Sequence, residues 1–188
     1  MDKTANTNLI IVTGGPGMGK TSVINHLETL GYRCMHESGR AIIRHQLETG
    51  GTNLPWMNRE GYADDMFKQA LLDYSAAVES GLLTFFDRGL PDTIGYLTLC
   101  GLPVPKAMST AAEQYRYFPK IFITPPWEAI YHGDDERKQS FAEAVATYEV
   151  MVDTYGKLGY KLVELPKLSI EERVKFMIDS LSYSRSDH

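Results

Sequence analysis

A short glycine-rich stretch near the start of the chain has the residue types and spacing best suited to chemistry. Residues 8–22 read NLIIVTGGPGMGKTS, which contains the pattern Gly14-x-x-x-x-Gly19-Lys20-Thr21. Glycines let successive backbone N–H groups turn inward around phosphate oxygens, so this pattern is typical of a phosphate-binding loop, or P-loop. The residues expected to form the loop are Gly14, Gly15, Pro16, Gly17, Met18, Gly19, Lys20, Thr21 and Ser22.

A P-loop works only where it joins a strand to a helix, and the flanking residues predict both elements. Residues 8–13 form an apolar run, and residues 20–30 place four apolar side chains on one helical face: Val23, Ile24, Leu27 and Leu30. The positive end of that helix would point at the bound phosphate. Lys20 would then reach the β- and γ-phosphates, and the Thr21 hydroxyl would bind Mg²⁺. The sequence therefore predicts a nucleoside triphosphate site.

The rest of the chain alternates short apolar strands with amphipathic helices. Predicted strands are 8–13, 32–36, 82–86, 120–124 and 160–164. Predicted helices are 20–30, 39–48, 59–79, 92–100, 105–116 and two that begin at the capping boxes Ser140-x-x-Glu143 and Ser169-x-x-Glu172. Such alternation predicts an α/β fold with three layers, in which helices cover both faces of a mainly parallel sheet.

Composition limits the classes of partner and compartment. The 188 residues carry a net charge of −5 with no Lys/Arg block, so we expect no nucleic acid as the main partner. No apolar run reaches the ~18 residues of a membrane span, and residues 1–8 contain no signal-peptide core. Cys34 and Cys100 form no CxxC pair, and Cys34 falls in a strand predicted to be buried. We expect a single cytoplasmic domain over residues 1–188.

Several motifs of other P-loop classes do not occur in this sequence. It contains no Asn-Lys-x-Asp motif of signalling GTPases and no Leu-Ser-Gly-Gly-Gln signature of transporter ATPases. The third predicted strand ends TFFDRGLPD, without the Asp-Glu pair of AAA+ motors. What remains resembles the small-molecule kinases of the P-loop class.

Three stretches carry a resemblance to those kinases. Residues 85–97 (FFDRGLPDTIGYL) are similar to the Asp-Arg motif of thymidylate and deoxynucleoside kinases, which implies that Asp87 acts on Mg²⁺ or the acceptor hydroxyl and Arg88 on phosphate or acceptor. Glu37 lies where deoxynucleoside and ribosylnicotinamide kinases carry an acidic residue. Residues 124–140 resemble a kinase lid, which implies that Arg137 neutralises charge on the transferred phosphoryl group.

Over residues 8–182 the chain resembles small bacterial ATPases of AAA type that are relatives of ribosylnicotinamide kinase. The resemblance implies a five-stranded sheet in the kinase-like order 2-3-1-4-5, an acceptor region at 50–80 and a lid at 125–140. In the acceptor region we expect contacts from Trp56, Arg59, Tyr62 and Phe67. The implied reaction is transfer of the ATP γ-phosphate, with Mg²⁺ held by Thr21 and Asp87, to a nucleoside-, nucleotide- or vitamin-like acceptor.

Several alternatives stay open at this stage. Either Glu37 or Asp87 could accept the proton of the acceptor hydroxyl, and Glu37 could instead pair with Arg40. Asp87 and Arg88 could form a surface pair, and Asp92 reads most simply as a helix-start residue behind Pro91. The rival function is an ATPase that acts as a nucleotide-dependent switch or regulates a protein partner.

Overall fold

The five predicted strands form one sheet in a computed structural model that describes residues 8–131 and 140–185. The strands are β1 (Leu9–Gly14), β2 (Arg33–Met35), β3 (Thr84–Asp87), β4 (Lys120–Thr124) and β5 (Lys161–Glu164). Their order across the sheet is β2-β3-β1-β4-β5, and every neighbouring pair is parallel. The predicted fold class and strand order are confirmed.

Seven α-helices surround the sheet in the described part of the chain. They are α1 (Lys20–Thr29), α2 (Gly39–Thr49), α3 (Arg59–Ser80), α4 (Leu90–Leu99), α5 (Lys106–Gln114), α6 (Phe141–Lys157) and α7 (Ile170–Arg185). The capping box of α6 is formed, because Glu143 N–H donates to Ser140 Oγ at 3.2 Å and Ser140 N–H donates to the Glu143 carboxylate at 2.6 Å. Among the described residues, none of these helices combines the length and apolar character needed to cross a membrane.

The alternating side chains of β1 divide the core between the two faces of the sheet. Ile10 and Val12 pack with the apolar stripes of α1 and α7, whereas Leu9 and Ile11 pack with those of α3 and α6. Every residue of β1 is buried, as a central parallel strand covered on both faces requires. The loop that follows β1 therefore starts from a rigid point in the fold.

Three local predictions need correction. β2 is an edge strand, so Cys34 is half-buried rather than buried. The third strand ends at Asp87 rather than residue 86, and α4 begins at Leu90, two residues earlier than predicted. The early start of α4 arises because the Asp92 carboxylate accepts a hydrogen bond from Gly89 N–H at 2.8 Å, which satisfies a free donor at the helix start.

Candidate functional site

The P-loop follows β1 and leads directly into α1. Gly19 precedes α1 with φ +78°, a left-handed conformation that favours glycine. Gly15 lies so close to α6 that a Cβ there would stand 2.3 Å from the Ala144 carbonyl oxygen. These two positions explain why the loop requires glycine.

Lys20 is buried at the base of this loop. Its Nζ donates a 2.6 Å hydrogen bond to the Gly15 carbonyl oxygen. Burial, together with the nearby charge of Arg88, lowers the pKa of Lys20 to about 8, although Asp87 and Glu37 oppose that shift. A polyphosphate bound in the loop would favour the charged ammonium and raise this pKa again.

Asp87 ends β3 beside the P-loop, and its surroundings fit a magnesium ion. Its Oδ2 accepts a long, 3.5 Å hydrogen bond from the Thr21 hydroxyl, while its Oδ1 is buried with no hydrogen-bond partner among the described residues. Burial raises the pKa of Asp87, although Lys20 opposes the shift. Mg²⁺ prefers oxygen ligands and keeps several of its waters or phosphate oxygens, so a buried carboxylate oxygen without a partner beside a hydroxyl suits it.

Arg88 has a strained backbone that its ion pairs hold in place. Its φ of +76° is the only left-handed value of a non-glycine residue in the described part of the chain. Its Nε lies 3.6 Å from a Glu37 carboxylate oxygen, and a terminal nitrogen lies 3.2 Å from Asp92 Oδ1. Burial works against the charge, but Glu37, Asp92 and Asp87 together raise the pKa of Arg88. The Asp-Arg motif is therefore not a surface pair, because the Asp87 side chain is buried and the guanidinium is held between two elements.

Asp92 does more than begin a helix. Besides Gly89 and Arg88, its carboxylate accepts hydrogen bonds from Thr13 Oγ1 and the Tyr155 hydroxyl, each at 2.5 Å. These four donors come from β1, the β3–α4 connection and α6. Sequence reasoning found the capping role and missed the others, because nothing local indicates that Tyr155 meets α4.

Two cavities meet at the P-loop. One, of about 520 Å³, runs from Pro16 and Glu37 past Asp87 and Arg88 to aromatic walls formed by Trp56, Tyr62, Phe86, Tyr96 and Tyr117. The other, of about 660 Å³, is lined by six of the P-loop residues, Thr21 and Ser22 among them, and by residues that include Trp127, 168–171 and 173. Pro16 and Glu37 line both cavities, so the two spaces adjoin at these residues.

The predicted site residues are only partly brought together. Glu37, Asp87 and Arg88 adjoin the P-loop, and Met18 lies beneath it, where its sulfur accepts a hydrogen bond from Trp127 N–H at 3.3 Å. In the acceptor region Trp56, Arg59 and Tyr62 line the first cavity, but Phe67 packs into the core instead. Arg137, with residues 132–139 of the predicted lid, lies outside the described residues.

Arg173 of α7 is a cavity residue that sequence reasoning missed. It lines the second cavity opposite the P-loop. The one available signal was topological, since α7 follows β5 and so begins at the same edge of the sheet as the P-loop. Which residue of α7 faces that edge depends on how the helix is rotated in the packed fold.

Comparison with solved structures shows the fold. The structure of NadR protein in complex with NR has a TM-score of 0.64 and 17% identity, covering 93% of this chain, which spans 50% of that one. Thymidylate kinase from Ehrlichia chaffeensis has a TM-score of 0.62 and 14% identity, covering 93% and 99% of the two chains. Shikimate kinase from Acinetobacter baumannii in complex with shikimate has a TM-score of 0.57 and 12% identity, covering 97% and 96%.

Sequence comparison shows the family. No curated protein matches the chain at a significant level. Residues 9–173 match the family model described as an AAA domain, AAA_28, and this range includes every described site residue discussed above. The chain therefore belongs to this AAA domain family, and it has the fold of the P-loop kinases.

Proposed function

We propose that this protein is a Mg²⁺-dependent kinase that transfers the γ-phosphate of ATP to a hydroxyl group of a small molecule. The observation that carries the proposal is the aromatic-walled cavity that adjoins the P-loop cavity at Pro16 and Glu37. A nucleotide-dependent switch needs the P-loop and Asp87, but it needs no second cavity of about 520 Å³ beside them. The kinase structures that share the fold support the same reading.

In this proposal the P-loop N–H groups and Lys20 hold the β- and γ-phosphates, and Thr21 and Asp87 hold Mg²⁺. The ion neutralises charge on the phosphate oxygens when it is bound. Arg88 lines the first cavity and pairs with the carboxylates of Glu37 and Asp92. At this position it can stabilise the negative charge that builds up during phosphoryl transfer.

The proton of the acceptor hydroxyl would pass to a carboxylate. Glu37 suits this role better than Asp87, because Glu37 lines both cavities whereas Asp87 is buried against Thr21. The predicted role of Arg137 and of the 125–140 lid rests on the resemblance to kinases and stays part of this proposal.

The charges around the first cavity favour an acceptor without phosphate. Its lining includes five carboxylate side chains, which are Glu37, Asp73, Asp87, Asp92 and Glu143. It includes two arginines, and one of them, Arg88, already pairs with Glu37 and Asp92. A phosphorylated acceptor would meet net repulsion there. An uncharged or cationic nucleoside, whose ring can stack on the aromatic walls, suits this lining better.

The proposal is tested by following ATP consumption with a panel of acceptors. Nucleosides, the matching nucleoside monophosphates and vitamin precursors with free hydroxyls are compared at equal concentration. We expect ATP to be consumed slowly alone and faster with one phosphate-free nucleoside, with a phosphorylated product detected by mass spectrometry. Lys20→Ala should abolish this consumption, and Glu37→Gln should lower turnover without a matching loss of ATP affinity.

The rival function gives a different result in the same assay. A switch or regulator would hydrolyse ATP at a rate that no small molecule changes, and its product would be inorganic phosphate alone. If no acceptor on the panel becomes phosphorylated and a protein partner accelerates hydrolysis, the kinase proposal is wrong.

A further inference from the structure

Arg173 is a buried cation without the partners that a buried cation ordinarily has. The residue is 4% exposed, and its Nε has no hydrogen-bond partner among the described residues. Arg173 forms no ion pair with any of the described residues, and burial lowers its pKa. Buried charges in proteins are normally paired, because removal of an ion from water costs several kcal/mol.

The guanidinium of Arg173 lies close to both the P-loop and Trp127. A Cβ placed on Gly19 would stand 2.9 Å and 3.2 Å from the two terminal nitrogens of the Arg173 guanidinium. The guanidinium carbon is 5.7 Å from the centre of the Trp127 ring. The backbone N–H of Arg173 is bonded to the Ser169 carbonyl at 3.0 Å, within the first turn of α7, so the helix end holds the side chain over the loop.

We infer that Arg173 contacts the phosphate chain of the bound nucleotide and is a cation of the nucleotide site supplied by α7. The inference rests on the proposed function, because it requires that the P-loop bind a nucleotide. Phosphate is the chemistry that suits this position. The guanidinium stands over the glycine that opens α1, where backbone N–H groups and the helix dipole favour an anion. An arginine fork can donate two hydrogen bonds to phosphate oxygens, which would supply the missing partners.

The experiment measures binding by titration calorimetry in wild type, Arg173→Met, Arg173→Gln and Lys175→Met. Lys175 is the matched control, since it lies on the same helix, carries the same charge and pairs with Asp179 on the exposed face. The ligands are Mg·ATP, adenosine and inorganic tripolyphosphate with Mg²⁺, which has the phosphate chain and no base. Loss of a charged hydrogen bond should weaken binding of ATP and tripolyphosphate by about 10- to 100-fold in both Arg173 variants. Adenosine binding, and all binding by Lys175→Met, should stay at the wild-type value.

A further readout, the midpoint of urea unfolding, separates this role from a structural one. Arg173→Met replaces an unpaired buried cation with an apolar side chain of similar length, so its urea midpoint should equal or exceed that of wild type. The inference is overturned if both Arg173 variants bind tripolyphosphate within about threefold of wild type, a difference of about 0.6 kcal/mol. It is also overturned if adenosine affinity alone falls, which would indicate a base contact. Failure of the wild-type protein to bind ATP would instead overturn the proposed function, and this inference with it.

Discussion

The Asp92 carboxylate offers the sharpest test of how this site is held together. It is 5% exposed and accepts four hydrogen bonds, from Thr13, Tyr155, Gly89 and Arg88. Each carboxylate oxygen takes two of them, which uses the full acceptor capacity of the group. Asp92→Asn keeps the shape of the side chain while it replaces one acceptor oxygen with an NH₂ donor.

The arrangement of donors fixes the expected cost. Oδ1 serves Thr13 and Arg88, whereas Oδ2 serves Tyr155 and Gly89. The two hydroxyls can rotate to accept from an amide NH₂, but the guanidinium and the Gly89 N–H can only donate. Either amide orientation therefore leaves one donor facing another, at a cost of about 1–3 kcal/mol. Loss of the charge also removes one partner of Arg88, so the free energy of unfolding should fall by about 2–4 kcal/mol in total.

Urea unfolding of Asp92→Asn, followed by circular dichroism, measures this loss. The matched control is Asp64→Asn, which removes an exposed 2.6 Å ion pair with Lys68 and should change stability by less than about 0.5 kcal/mol. Combination with Tyr155→Phe should cost less than the sum of the two single changes, because they share one hydrogen bond. If Asp92→Asn loses no more than Asp64→Asn does, the four-donor network does not stabilise the fold and the reasoning fails.

Two further predictions concern the nucleotide side of the site. Asp87→Asn should still bind nucleotide, but its turnover should fall by about 10²-fold or more and should no longer depend on Mg²⁺, because the variant lacks the carboxylate charge. Normal residual activity with a lowered unfolding midpoint would instead indicate that Asp87 is structural. Because Lys20 has a pKa of about 8 before nucleotide binds, the affinity of the protein for Mg·ATP should fall about tenfold between pH 7 and pH 9. Lys20→Arg should make this affinity less dependent on pH. This pKa lies below 10.5, the usual value of a lysine side chain, so the unfolded chain binds more protons than the folded chain between about pH 8 and pH 10.5. The Lys20 contribution to stability should therefore rise with pH through that window. Calorimetry and urea unfolding across pH 7–10 measure both effects, and a flat wild-type affinity profile would contradict the assignment of Lys20.

The sequence predicted the features that depend on neighbouring residues. Strand and helix positions follow from apolar periodicity, the starts of α6 and α7 from their capping boxes, and the P-loop from glycine spacing. The sheet order followed from resemblance to kinases and is confirmed. Apart from the sheet order, each of these features involves residues within one or two turns of chain, or a motif whose meaning is local, so no packing information was needed.

The tertiary structure alone decided which distant residues share the site. Asp92 meets Tyr155, 63 positions away, because α4 packs on α6, and Glu37 meets Arg88 because β2 pairs with β3. Arg173 reaches the P-loop only because α7 packs against α1 with one particular face. Periodicity predicts which face of a helix is apolar, but the side chains at the margin of that face are placed by the packed rotation of the helix. A single sequence does not record that rotation, which brings Tyr155 to Asp92 and Arg173 to the P-loop.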